Sequence, residues 1–161
     1  MSDFSESNHR YMALALEQAA RAAQLGEVPV GAVVVLDNEI IAEACNQQIT
    51  LNDPSAHAEV LALRSAAAAL ENYRLPRCEL FVTLEPCTMC CGAMVHARVS
   101  RLVFGAREPK AGAVVSTASV LDNASLNHRV VWSEGLRSGE SADLLRTFFK
   151  TRRASKTRLK T

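Results

Sequence analysis

The chain lacks any long apolar run: nothing in its 161 residues approaches the length of about 18 needed to cross a bilayer. Its opening, "MSDFSESNHR", lacks the basic-then-apolar order of a secretory signal, so the cytoplasm is the predicted compartment. An even cysteine count is missing too. Five cysteines, unevenly spread in a chain without export signals, argue against a disulfide framework, and clustered thiols in a reducing compartment point to metal or catalysis. Internal repeats and linkers are absent, and an excess of either charge is absent overall, with a formal net charge of +1.

What is present starts with an ordinary globular balance, 48% hydrophobic and 22% charged residues, at a length that predicts a single domain spanning 1–161. The near-neutral total conceals a basic tail at 150–161, "KTRRASKTRLKT", with Lys150, Arg152, Arg153, Lys156, Arg158 and Lys160 and no acid.

Periodicity predicts a helix over 8–25, capped by Ser7 or Asn8 and ended by Gly26, with Met12, Leu16, Ala19 and Ala23 on its apolar face. Two apolar runs around Asp37-Asn38 predict a hairpin with strands near 30–36 and 39–45. A second helix is predicted from Asp53-Pro54-Ser55 to about Leu70, which sets His57 in or near its first turn. "ELFVTL" at 79–84 reads as a strand, the segment from Cys87 as a helix, and "RLVFG" at 101–105 as a strand parallel to the first. Residues 106–129 are ambiguous, "RVVW" at 129–132 is a candidate edge strand, and a last amphipathic helix runs from about Gly139 into the tail. The expected fold class is α/β: a three-layer α/β/α sandwich with a mixed sheet.

The chemistry concentrates where a parallel strand ends and a helix starts, the place where open α/β sheets collect ligands. Cys87 and Cys90 are three apart on a helix and can share one ion, and a helix N-terminus favours thiolate, the form that binds metal. Cys91 is four from Cys87, so spacing alone leaves Cys90 and Cys91 both open as the second sulfur. Taken singly, Cys45, Cys78 and Cys91 read as small buried hydrophobes. His57, at another helix start, supplies a third ligand. Three ligands leave the fourth tetrahedral position free, as in catalytic zinc, where bound water is acidified to a pKa of about 7. Glu59, two residues after His57, is the candidate proton carrier.

"HAE" at 57–59 with "PCTMC" at 86–90 matches H-x-E followed by P-C-x-x-C, the signature of zinc-dependent nucleoside and nucleobase deaminases. The blocks "EVPVGAVVV", "NDPSAHAEVLALR", "NYRL", "LFVTLEPCTMCCGAM", "RLVFGAREPKAGA" and "NHRV" extend the match, and residues 8–153 resemble the bacterial tRNA-specific adenosine deaminases. That resemblance implies a cytidine-deaminase-like fold with a five-stranded sheet and a homodimer. It implies a hydrolase acting on the amidine C–N bond of adenosine, giving inosine at the wobble position of a tRNA anticodon. It assigns one zinc ion to His57, Cys87 and Cys90, which selects Cys90 over Cys91, and proton transfer to Glu59. It also sets Asn46 toward the base and Glu27, Val28 and Pro29 in the pocket wall. Asn46 also reads as a strand-end turn residue, and Val28 and Pro29 as core and strand-entry residues.

Phe149 and Arg153, with the tail, form a candidate RNA surface, an aromatic ring beside cations; Phe148 with Leu144 and Leu145 reads rather as an apolar helix stripe. The sequence departs from the family at Glu108, where Asp is usual in a segment expected near the nucleotides flanking the target, and at Cys91, where a small residue is common. Two other readings remain: a deaminase of free bases or nucleosides, and a zinc-stabilised RNA-binding module in which Glu59 is incidental and a fourth protein ligand closes the metal site.

Overall fold

The computed structural model describes residues 4–159; Lys160 of the basic tail lies outside them, with Thr161 and residues 1–3. Asp37 and Asn38 have φ of 49° and 66°, the left-handed pair that a two-residue hairpin turn requires, and they join β1 (Gly31–Leu36) to β2 (Glu39–Cys45). The hairpin register runs from Leu36 opposite Glu39 to Gly31 opposite Cys45, with one irregularity between Val34 and Val35. β3 (Glu79–Leu84) pairs antiparallel with β1, and β4 (Arg101–Ala106) and β5 (Val131–Glu134) follow in parallel. The result is a mixed five-stranded sheet ordered β2-β1-β3-β4-β5. The last strand begins two residues later than "RVVW" suggests.

Alternation along the strands divides the core between two helical layers. Val33, Val35, Phe81 and Val103 meet Tyr11, Met12, Ala15 and Leu16 of α1 (Glu6–Gln24), with Leu144 of α4 (Ser138–Leu159) at the margin. Ala32, Val34, Leu80, Val82, Leu102 and Phe104 face α2 (Ala58–Leu70) and α3 (Thr88–Ala97) through Ala62, Leu63, Ala66, Cys90 and Met94. Each large side chain buried this way contributes about 1.5–3 kcal/mol, so both helical layers are held chiefly by apolar burial. Gly31 is required by close approach: a Cβ there would collide with the backbone of Ala15 and Ala19, so α1 lies directly on β1.

Two helix starts differ from the expectation. α1 begins earlier, because Ser5 and not Ser7 or Asn8 is the cap, its hydroxyl accepting from the Asn8 N–H at 3.1 Å. Its buried face uses Ala22 where Ala23 was expected. α2 begins later, at Ala58, with His57 as its N-cap. Asp53 does not cap it: Asp53 Oδ1 accepts from the Ser55 N–H at 2.8 Å and the Ser55 hydroxyl at 2.7 Å, a local turn that competes with helix. Between β4 and β5 the regular structure is one short 3-10 turn, Val120–Asp122.

Candidate metal centre and cavity

Two helix N-termini meet at the carboxyl end of β3. His57 is the N-cap residue of α2 and Cys87 that of α3, both with extended backbone (φ −72°, ψ 151° and φ −79°, ψ 176°), and neither side chain makes a capping hydrogen bond. A capping side chain ordinarily accepts from the N–H groups of the first turn. These two instead face each other, with Cys90 beside them: Cys87 Sγ and Cys90 Sγ lie 3.6 and 3.5 Å from His57 Nδ1 and 3.7 Å from one another. A tetrahedral ion with bonds of about 2.3 Å to sulfur and about 2.0–2.1 Å to nitrogen needs edges of about 3.8 Å between sulfurs and about 3.6 Å from sulfur to nitrogen. The three atoms therefore form one face of such a tetrahedron. Among the described residues the cluster ends at His57, Cys87 and Cys90. Cys91 is buried apart from it, its Sγ turned to the Pro86 carbonyl at 3.9 Å.

Protonation follows from these contacts. The Cys90 thiol, hydrogen-bonded to Cys87 Sγ, outweighs burial and with His57 lowers Cys87 to about 4. The same bond, then burial, raises Cys90. The bond to Cys87 raises His57 against the opposing effect of burial. Burial pushes Cys91 up to about 12, as for an inert core thiol. Glu59, in the first turn of α2 and only 4% exposed, is raised by burial, which outweighs hydrogen bonds from its own N–H and from Cys90.

A cavity of about 190 Å³ opens over the cluster and is lined by Val28, Asn46, His57, Glu59, Cys87 and Glu108 among others. Asn46 ties it together: its Nδ2 donates to the Val28 carbonyl at 3.1 Å, and its Oδ1 accepts from the Ala58 N–H at 2.8 Å, capping the helix that carries Glu59. One amide hydrogen and one lone pair stay uncommitted in these bonds. Of residues 27–29, Val28 reaches the wall and Pro29 does not. Glu27 is placed behind the wall rather than in it. Its buried carboxylate accepts from the N–H of Ile49 (3.1 Å) and from the N–H and hydroxyl of Thr50 (both 2.7 Å). Burial alone would raise its pKa, but the Thr50 and Ile49 bonds prevail and lower it. Glu108 stands at the mouth, with Oε1 accepting from the Lys110 N–H at 2.8 Å.

Phe149 and Arg153 are exposed on α4 and take no part in the cavity. Phe148 is half-buried, edge-on to Phe149 at 5.4 Å, with the Arg152 guanidinium 5.8 Å from its ring centre. A larger apolar groove, about 770 Å³ between α1 and α4, contains none of the cluster. Sequence reasoning missed Glu85, a cavity-lining carboxylate 3% exposed. Its pKa is lowered because bonds from Ser116, Val115 and Glu108 outweigh its burial. The available signal was an acid at the end of a buried strand, immediately before Pro86-Cys87.

The chain is similar to known deaminases. The model of the MafB19-like deaminase family matches residues 6–153. The tRNA-specific adenosine deaminase of Haemophilus influenzae is 48% identical over 156 residues, covering 96% of this chain and 88% of the relative. That of Aquifex aeolicus is 47% identical over 140 residues, covering 87% and 92%. A solved structure from work on A-to-I editing by tRNA:A34 deaminases at the wobble position superimposes with a TM-score of 0.83 at 46% identity, covering 84% of this chain and 99% of the other.

Proposed function

The chain belongs to the tRNA-specific adenosine deaminase family, and we propose that it binds one zinc ion and converts adenosine to inosine at the wobble position of a tRNA anticodon. The observation that carries this reading is a three-ligand cluster with tetrahedral edge lengths beside a buried carboxylate. His57, Cys87 and Cys90 would hold the ion. A zinc ion held there would acidify water to a pKa of about 7, the chemistry it would supply.

The remaining work falls to side chains. Adenine flipped from its stack enters the cavity, where Asn46 offers one donor and one acceptor to its edge. Glu59, whose burial lets it hold a proton at higher pH than an ordinary glutamate, takes a proton from water as the oxygen adds to C6 and delivers it to N1. It then moves the proton of the hydroxyl added at C6 to the departing amine, the C6–N6 bond breaks as C6=O forms, and ammonia leaves inosine behind. Glu108 meets the flanking nucleotides at the mouth. Phe149, Arg153 and Lys156 recur at helical spacing on exposed turns of α4 and suit a base and its phosphates. Family resemblance supports a single domain acting as a cytoplasmic homodimer. Among the described residues no helix is long and apolar enough to cross a membrane.

The test is inosine formation in an anticodon stem-loop with adenosine at the wobble position. Wild type should react, while Glu59→Ala should keep one zinc per chain and lose turnover. Full activity in that variant would remove the proton assignment. Ammonia released from free guanine, with none from the stem-loop, would move the reading to a free-base deaminase.

A further inference from the structure

Glu85 follows β3 and precedes the first cysteine ligand, yet its side chain serves a different segment. Residues 107–119 contain no helix or strand. Glu85 collects four of their N–H groups, from Glu108 (3.0 Å), Val114 (3.1 Å), Val115 (2.9 Å) and Ser116 (2.9 Å), and adds the Ser116 hydroxyl at 2.5 Å. A carboxylate has about four lone-pair sites, so five donors saturate it. No acceptor capacity remains for a substrate base or for proton transfer. The adjoining peptide adds to the clasp, with the Pro86 carbonyl accepting from the Ala113 N–H at 2.8 Å. The contact is backbone-close: a Cβ on Gly112 would collide with the Glu85 carboxyl group and with the Glu108 carbonyl. The segment held this way carries Glu108 and Ala111 to the cavity wall.

We propose that Glu85 is a positioning residue that sets the nucleotide-facing rim of the cavity, fixing Glu108 and Ala111 relative to His57, Cys87 and Cys90. It governs how tightly the anticodon nucleotide is gripped rather than how fast adenine is hydrolysed. The inference rests on the deaminase reading for the identity of the ligand; the clasp stands on geometry alone.

Two variants attack the clasp from opposite sides. Glu85→Gln keeps the shape but turns an amide NH2 toward backbone donors, and Gly112→Ala drives a methyl group into the carboxylate. Each should raise KM for the stem-loop about tenfold, the cost of losing a charge-assisted bond, while kcat stays within about threefold and zinc stays at one per chain. The double variant should be less damaging than the two single effects added together, because both break the Glu85 contact. In the substrate-free proteins, amide exchange at Val114, Val115 and Ser116 should accelerate at least about tenfold. Unchanged exchange and KM would overturn the proposal, as would additive effects or a fall in kcat at constant KM. If Glu85→Gln does not fold, exchange of the Val114, Val115 and Ser116 amides in Gly112→Ala decides the matter. Should the wild type make no inosine, the nucleotide part fails with the deaminase reading, while the exchange result separately judges the clasp.

Discussion

His57 and Cys87 stand at the starts of helices that pack on the sheet through Ala62, Leu63, Cys90 and Met94, all fully or almost fully buried. Gln48, Glu108 and Ala111 reach the same cavity from segments without helix or strand, each pinned by one buried carboxylate: Glu27 for the segment at 49–50 and Glu85 for that at 108–116. The floor is located by apolar packing, which is spread over many side chains and indifferent to pH. The rim is located by a few charge-assisted bonds, each concentrated on a single group. A floor of that kind tolerates changes beside the ligands but not in them. The rim is vulnerable to one substitution and to acid.

The sharpest separation within the floor is between neighbouring sulfurs. Cys90→Ala removes a corner of the ligand triangle and should lower inosine formation by at least about a thousandfold with loss of zinc. Cys91→Ala alters a buried thiol turned to Pro86, and should keep zinc and remain within about threefold of wild type, at a stability cost of about 1 kcal/mol. Metal content and turnover measured on both variants check this. Equal losses would break the distinction between ligand and packing residue.

For the rim, Glu27→Gln should reduce unfolding free energy near pH 7 by about 1.5–3 kcal/mol while zinc content is unchanged. The sign of its pH dependence is fixed by the direction of the shift. Folding lowers the Glu27 pKa below its ordinary 4.5, so its contribution is complete above that value and is lost as pH falls through the folded pKa. The gap between wild type and Glu27→Gln in thermal melts should therefore be constant from pH 8 to about 6 and narrow as pH falls below 4.5. A gap that widens in acid would contradict the clasp.

The same division governs how much the sequence reveals. "ELFVTL" coincides with β3 residue for residue, and Asp37-Asn38 marks the hairpin turn, because burial pattern and turn chemistry are local properties. The cluster of His57, Cys87 and Cys90 is legible because Cys87 and Cys90 are one helical turn apart and His57 is followed closely by Glu59. Which of Cys90 and Cys91 faces His57 depends on how α3 is rotated against α2, a tertiary matter that spacing does not contain. The start of α2 was obscured because its first N–H is bonded by Asn46, twelve residues upstream. Glu27 and Glu85 were opaque for a deeper reason. Their partners lie 22 to 31 residues away and are mostly backbone N–H groups, which leave no residue type to recognise.

The smallest effect belongs to the surface farthest in character from both floor and rim. α4 continues as helix to Leu159, with Ser141 its only buried residue, so residues 150–159 form a solvated rod. Arg152 is engaged over Phe148, whereas Arg153 and Lys156 are exposed three residues apart, near Phe149. Removing both cations, as Arg153→Ala with Lys156→Ala, should weaken tRNA binding only a few-fold at physiological salt. It should also reduce the slope of log Kd against log salt by about 1–2, since each phosphate contact contributes about 0.7–0.9. Zinc content, and turnover at saturating tRNA, should not move. An unchanged salt slope would mean that these cations face solvent alone, whereas a fall in saturated turnover would tie α4 to the floor and undo the separation of grip from chemistry.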